Sequence, residues 1–263
     1  MENTPPPADV PAAAPAPADA PAAAPAQKTR VVFCLPGRTF SNRFLLSWTQ
    51  TVVEMANSGK YSFMISQNYS SFVSFARALC LGYDVTRGSK QKPFNSEIPY
   101  DVIVWIDSDI VYNYQLVDRL ITLCMEKSPV VSGIYAMEGG QAFCAVQKWD
   151  QEYYLKNGSF EFLSADAANA YIKETGSNLM PCVYAGMGFM AIRQGVLEDE
   201  RLAYPPFHRP LERIPTGRED VAEYVDSTSE DVALMRNLED AGIIDHVLVD
   251  LSLRVGHEKM VVL

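Results

Sequence analysis

Apolar and polar positions alternate along this chain in two rhythms, and the switch from one to the other marks its elements. Short apolar runs fall at residues 29–35 (TRVVFCL), 61–66, 102–106 (VIVWI) and 129–134. Each has the length of a strand, and the 102–106 run is apolar throughout, as in a strand buried on both faces. Between them the apolar residues recur every three or four positions. Phe44, Leu45, Trp48, Val52 and Met55 predict a helix over 41–56, and similar spacing predicts helices over 70–81 and 114–127. In the second of these, Phe72, Val73, Phe75, Ala76, Leu79 and Cys80 predict a broad buried face. Residues 87–99 are polar and rich in turn formers, and read as a loop. Strands alternating with helices in this way predict a mostly parallel α/β sheet covered on both faces.

The second half is less regular. Residues 142–148 and 159–163, either side of Asn157-Gly158, predict an antiparallel pair. Ser164 and Gly176 bracket a predicted helix over 164–175. Strands at 180–184 and 189–192 flank Gly186-Met187-Gly188. Four prolines mark 203–216 as a surface loop. A helix over 229–241 has Ser229 as its cap and Gly242 as its stop, and a last strand at 247–251 leads to Val255-Gly256-His257.

Composition changes the picture at the N-terminus. Nineteen of the first 27 residues are Ala or Pro, arranged as the imperfect repeat ADVPAAAPAP and ADAPAAAPAQ. Such a segment has little to bury, so residues 1–27 are expected to form a disordered, extended tether. Residues 28–263 suffice for one domain with a substantial core. The tether lacks the apolar core of a signal peptide, and no apolar run is long enough to span a membrane, so a cytoplasmic, soluble protein is expected. Three of the ten net negative charges belong to Glu2, Asp9 and Asp19, which leaves about −7 on the remainder with no basic cluster. That balance argues against nucleic acid as a partner. Five cysteines (Cys34, Cys80, Cys124, Cys144 and Cys182) without Cys-x-x-Cys spacing suit buried, reduced thiols better than a zinc site.

The candidate chemistry is acidic. Asp107-Ser108-Asp109 follows the 102–106 strand, where open α/β sheets place their ligands. Carboxylates there need compensation for lost hydration, and a divalent cation shared with a diphosphate supplies it. A plain acidic turn at a strand end is the alternative. Glu230 and Asp231 stand in the first turn of a capped helix, where acids complement the helix dipole whether or not they also act as bases. Gly186 and Gly188 read either as a tight turn or as a close backbone approach. Arg77, in an apolar helix, calls for a function or an ion pair. Trp149, Tyr153 and Tyr154 read as packing or as a platform for an acceptor.

Taken in order, the stretches YDVIVWIDSDIV, VVSGIY, YAGMGFMAIRQGVL, SEDVALMRNLEDAG and VDLSLRVGHEK resemble the GT-A-fold, family-2-like nucleotide-sugar glycosyltransferases over roughly residues 29–259. The resemblance implies a Rossmann-like mixed sheet flanked by helices, in one domain behind the tether. It implies transfer of a sugar from a nucleoside-diphosphate donor (a UDP- or GDP-sugar) to a hydroxyl of a glycan or glycoconjugate, with inversion. Mn²⁺ or Mg²⁺ would be held by Asp109 and His257, with Asp107 at the ribose or at the metal. The donor would also meet Pro36, Gly37, Arg38, Arg77, Ser108, Gly186 and Gly188. Asp231 is the implied general base and Glu230 its fallback. One departure from the family pattern is Ala78, which stands where an Asn usually follows the Arg. Two other readings stay open. Asp107-Ser108-Asp109-Ile110-Val111 also fits the Asp-x-Asp-x-Val signature of haloacid-dehalogenase-like phosphohydrolases, with Asp107 as nucleophile, although their later acidic pair is missing. The other is a non-catalytic carbohydrate-binding relative.

Overall fold

A computed structural model of the protein describes residue 1 and residues 27–137 and 139–258. The predicted tether therefore lies outside the described residues, except for Met1 and Gln27. The first half builds β1 (Thr29–Pro36), α1 (Asn42–Ser58), β2 (Tyr61–Asn68), α2 (Val73–Cys80), β3 (Val102–Ile106), β4 (Ile110–Val111), α3 (Tyr114–Glu126) and β5 (Val130–Ile134). The second half adds β6 (Ala145–Val146), α4 (Gln151–Asn157), α5 (Ala165–Thr175), β7 (Leu179–Cys182), β8 (Tyr184–Ala185), β9 (Phe189–Arg193), β10 (Glu212–Pro215), β11 (Glu223–Asp226), α6 (Glu230–Asp240), β12 (Val247–Arg254) and β13 (Gly256–His257).

Seven strands form one sheet in the order β2-β1-β3-β9-β5-β12-β7. β2, β1, β3, β5 and β12 run in one direction, while β9 and β7 run against them. This is the mixed, mostly parallel α/β sheet expected of the GT-A class. Alternate residues of each strand feed two cores. Val31, Phe33, Val104 and Ile106 pack under α1 and α3, while Val32, Cys34, Ile103 and Trp105 pack on the side of α2 and α6. The whole of β3 is buried, as its unbroken apolar run implies. No helix among the described residues is long and apolar enough to cross a membrane. The five cysteines are free thiols, buried except for the half-buried Cys144.

Several local expectations fail for identifiable reasons. Residues 142–148 and 159–163 do not make a simple two-stranded hairpin. Asp150 caps α4 between them by accepting from Tyr153 N (2.9 Å), and β6 pairs with β8 instead. The two stretches still touch, through Phe143 N to Leu163 O (2.8 Å) and Leu163 N to Ala145 O (2.9 Å). The proline-rich 203–216 stretch is not all loop, because β10 pairs with β11 across a turn. Ser229 sits in the N-cap position of α6, but its hydroxyl turns to the Asp231 carboxylate and not to a backbone amide. The broad buried face expected of the 70–81 helix is the largest miss. α2 begins only at Val73, and Phe72, Val73, Phe75 and Leu79 are exposed. The residues it buries are Ala76, Arg77 and Cys80.

Candidate functional site

The site begins where β3 ends. Asp107 N donates to Gly188 O (3.0 Å) and Ile110 N to Asp107 O (3.1 Å), so Asp107-Ser108-Asp109 forms a turn anchored to β9's entry. The chain then enters β4, which pairs antiparallel with β13: Val111 lies opposite Gly256 and Ile110 opposite His257. Gly256 permits this approach, because a Cβ there would come 3.1 Å from the Val111 Cβ. Glu258 N closes the pairing by donating to Asp109 O (2.8 Å). This two-stranded ribbon sets an imidazole beside a carboxylate: His257 Nε2 is 3.2 Å from Asp109 Oδ2.

The protonation of that imidazole follows from its other nitrogen. His257 Nδ1 lies 2.8 Å from the Ala136 carbonyl oxygen, which can only accept, so Nδ1 carries the hydrogen. In the neutral ring, Nε2 then turns its lone pair toward an anionic oxygen. A cation between that lone pair and the Asp109 carboxylate would be bound by both. An oxygen and a nitrogen ligand, with the second nitrogen fixed by a carbonyl, is a donor set that fits Mn²⁺ or Mg²⁺. Among the described residues no group of three or more His, Cys, Asp and Glu side chains could hold a metal. A cation here would depend on substrate and water for its remaining ligands.

Tyr135 was not foreseen as part of the site. Its ring meets His257 edge-on, with centroids 5.0 Å apart, and its hydroxyl accepts from Gly188 N (3.2 Å). Gly186 and Gly188 leave the room it occupies. A Cβ on Gly186 would lie 2.1 Å from Tyr135 Oη and 2.5 Å from Cys144 Sγ, and one on Gly188 would lie 3.0 Å from the Tyr135 ring. The glycine pair is therefore a close approach to a side chain, and neither residue needs a positive φ. Sequence spacing alone could not have paired Tyr135 with glycines so far along the chain.

A second group of side chains lies on the α2 and α6 side of the sheet. Arg77, only 2 % exposed, reaches Asp107 (3.1 Å) and Glu230 (3.2 Å) and lies over the Trp105 ring at 5.5 Å. Here are the partners its apolar helix required. Burial opposes the Arg77 charge, but Asp107 and Glu230 outweigh burial and hold its pKa above the usual value. Burial also pushes the Glu230 carboxyl upward, against the pull of Arg77. Asp107 is thus engaged by the guanidinium, and so is Glu230.

Asp231 has a different environment. Its Oδ2 accepts from Tyr184 Oη (2.7 Å), and its Oδ1 accepts from Val232 N (2.8 Å) and from Ser229 Oγ. Burial, reinforced by Asp231, pushes the Tyr184 hydroxyl well above its usual range, so it stays protonated and donates. The Tyr184 hydroxyl also lies 3.3 Å from Cys144 Sγ. Tyr184 opens the stretch YAGMGFMAIRQGVL and Tyr135 closes VVSGIY, but neither side chain was singled out as a site residue.

The remaining candidates divide. Gly37, after Pro36 at the end of β1, backs onto Ser108: a Cβ there would come 2.9 Å from the Ser108 Cβ. Arg38 lies over the Tyr69 ring at 5.8 Å. Ala78 packs against the core. Trp149 contacts the Phe160 ring (4.7 Å) and the Tyr184 ring (6.5 Å), with Arg236 above it at 5.3 Å. Trp149 and Tyr154 line a cavity of about 350 Å³, and Tyr153 is not part of its lining. A larger cavity, about 1080 Å³, runs along the outer side of α2 between Phe72 and Tyr204, and none of Asp107, Asp109, Asp231 or His257 lines it.

No protein-family model matches this chain, and no curated protein matches it. Solved structures do resemble it. A197 from STIV is 17% identical, with 88% of this chain and 86% of that one covered and a TM-score of 0.45. Glucosyl-3-phosphoglycerate synthase from Mycobacterium tuberculosis, solved with Mn²⁺, uridine diphosphate and phosphoglyceric acid, is 12% identical. That match covers 90% of this chain and 72% of the other, with a TM-score of 0.42. The same enzyme with Mg²⁺ and uridine diphosphate gives 14%, 90%, 73% and 0.40. Likeness at this level carries no information about substrate or activity.

Proposed function

We propose that the protein is a metal-dependent glycosyltransferase that moves a sugar from a nucleoside-diphosphate donor to a hydroxyl of a glycan acceptor. The carrying observation is the 3.2 Å approach of His257 Nε2 to Asp109 Oδ2, with Nδ1 committed to a carbonyl. Asp109 and His257 would hold Mn²⁺ or Mg²⁺ on the side of the site nearest Ser108 and Gly37. When bound, such an ion offsets the charge that develops on a departing diphosphate. The chain's own residues supply the rest. Arg77 fixes Asp107 and Glu230 relative to each other, and the β4–β13 ribbon fixes the Asp109 and His257 backbones.

Asp231 is the base in this reading. Glu230 is bound to Arg77, whereas Asp231 is oriented by Tyr184 and Ser229 through hydrogen bonds that leave it accepting on both oxygens. A carboxylate so oriented can take the proton of an acceptor hydroxyl as that oxygen attacks the sugar carbon. One such displacement inverts the anomeric centre. The cavity beside Trp149 and Tyr154, in ring contact with Tyr184, is where this reading seats the acceptor. The engagement of Asp107 by a buried guanidinium disfavours its use as a phosphatase nucleophile.

Purified protein assayed with a panel of nucleotide sugars and Mn²⁺ tests the reading. Release of nucleoside diphosphate is expected, with transfer lost and donor binding kept in Asp231→Ala. Release of inorganic phosphate from small phosphoesters, without use of any nucleotide sugar, would overturn it.

A further inference from the structure

The exposed apolar surface of this protein is concentrated at one end of the sheet. Setting aside Met1, thirteen large apolar side chains are exposed among the described residues, and all but Leu211 and Val225 fall between Leu45 and Val85. They belong to α1, to the edge strand β2, and to α2 with the residues flanking it. Scattered exposed apolar residues are ordinary, but a contiguous patch marks a surface that is covered.

The patch is centred on an open strand edge. Among the described residues β2 pairs with β1 on one side only. It is eight residues long and contains no proline and no charge. From Tyr61 to Tyr83 the one charged side chain is Arg77, which is buried. The opposite edge is guarded: β7 has four residues, one of them Pro181. Protein edges left to face water ordinarily carry lysine, proline or a bulge, and β2 has none of these. Its apolar residues point both ways. Ile65 shares the face of Tyr61, whose hydroxyl reaches Asp118 on α3, and Met64 shares the face of Ser66, which bonds Cys80 O on α2.

We infer that β2 is the dimerisation edge of this protein, pairing antiparallel with β2 of a second copy about a two-fold axis perpendicular to the sheet. That operator keeps each face on its own side, so α1 meets α1 and α2 meets α2. Leu45 on α1 and Val73 on α2 then extend the contact above and below a continuous sheet. Apolar helix flanks on both faces of an open edge are what this arrangement uses. Of the eleven, Phe72, Phe75, Leu79 and Val85 line the cavity beside α2; the other seven, at on the order of 80 Å² exposed each, supply most of the roughly 800 Å² per partner that a stable interface buries. Other occupants fit less well. A lipid surface cannot hydrogen-bond the open backbone groups of β2. The chain's own first residues carry a proline at intervals of four or fewer from Pro5 to Pro25, and each proline lacks the N–H a strand ladder needs.

Sedimentation equilibrium of the full chain, from about 1 to about 100 μM, tests the inference through mass action. A species of twice 29.2 kDa is expected for the wild type. Met64→Lys and Ile65→Lys, each checked for a native melting curve, are expected to weaken association by roughly 30-fold or more, about 2 kcal/mol. Should either fail to fold, Leu45→Lys and Val73→Lys on the helix flanks serve the same purpose. Val225→Lys, on the β10–β11 hairpin outside this group of residues, is expected to change nothing. A wild type that stays monomeric throughout overturns the inference, whether or not it co-sediments with phosphatidylcholine–phosphatidylglycerol vesicles. So does a dimer insensitive to all four edge and flank substitutions.

Discussion

His257 Nε2 stands 3.2 Å from Asp109 Oδ2, and the pairing of β13 with β4 holds it there. The geometry is built by backbone hydrogen bonds and by a glycine, Gly256, placed where a Cβ would crowd Val111. The two side chains meet because β13 folds back beside β4, next to the turn after β3.

Tyr184 is expected to position Asp231. Its hydroxyl donates to Asp231 Oδ2 and is buried, so Tyr184→Phe removes one orienting bond without removing the ring. The expected result is a fall in kcat of roughly 10-fold, the scale of one neutral-to-charged hydrogen bond. The donor KM should stay within error, because Tyr184 touches the base and not the Asp109–His257 pair. Steady-state kinetics separates the two parameters; a change in donor KM alone would contradict this role.

Gly186 is expected to tolerate no side chain. A methyl group there would overlap Tyr135 Oη and Cys144 Sγ. Gly186→Ala should destabilise the protein by about 1–3 kcal/mol, the range for overpacking a core, visible as a melting temperature lower by several degrees. Tyr135→Phe in the same chain removes the nearer of the two clashing atoms and should recover part of the loss. Additive losses in the double variant would mean that Tyr135 is not what Gly186 makes room for.

Glu230 gives a pH prediction with a definite sign. Burial raises its folded pKa above the usual 4.5, with Arg77 opposing. The folded state therefore binds this proton more tightly than the unfolded chain does. Its contribution to stability is full below the unfolded value and is lost as pH rises through the folded one. Glu230→Gln does not titrate, so the stability of the wild type relative to this variant should decline as pH rises above about 4.5. Urea melts of both proteins between acid and neutral pH measure it; a difference that grows with pH would reverse the sign.

Much of the fold was legible because its strongest signals are local. The apolar run at β3, the helical period of α1 and α3, and the Ser164–Gly176 bracket on α5 are each set by neighbours in sequence. The glycines at 186 and 188 stood out as special, but their reason lies in Tyr135, just after β5. Arg77 announced a need for partners without naming them, since Asp107 and Glu230 arrive from two other elements. α2 shows the limit of periodicity most clearly. Phe72, Phe75 and Leu79 have the spacing of a core face, and periodicity cannot distinguish a face that meets the sheet from one left for another surface. The β10–β11 hairpin was hidden by prolines, which β10 accommodates at its last position, Pro215.

In the proposed function, Asp109 and His257 jointly hold a divalent cation against a nucleoside diphosphate. Titration of Mn²⁺ into the protein with uridine or guanosine diphosphate present, followed by electron paramagnetic resonance of the free ion, tests it directly. One bound Mn²⁺ per chain is expected in the wild type, with affinity at least ~10-fold weaker in both Asp109→Ala and His257→Ala. Mn²⁺ binding that is equally tight in the wild type and in both variants would contradict the account.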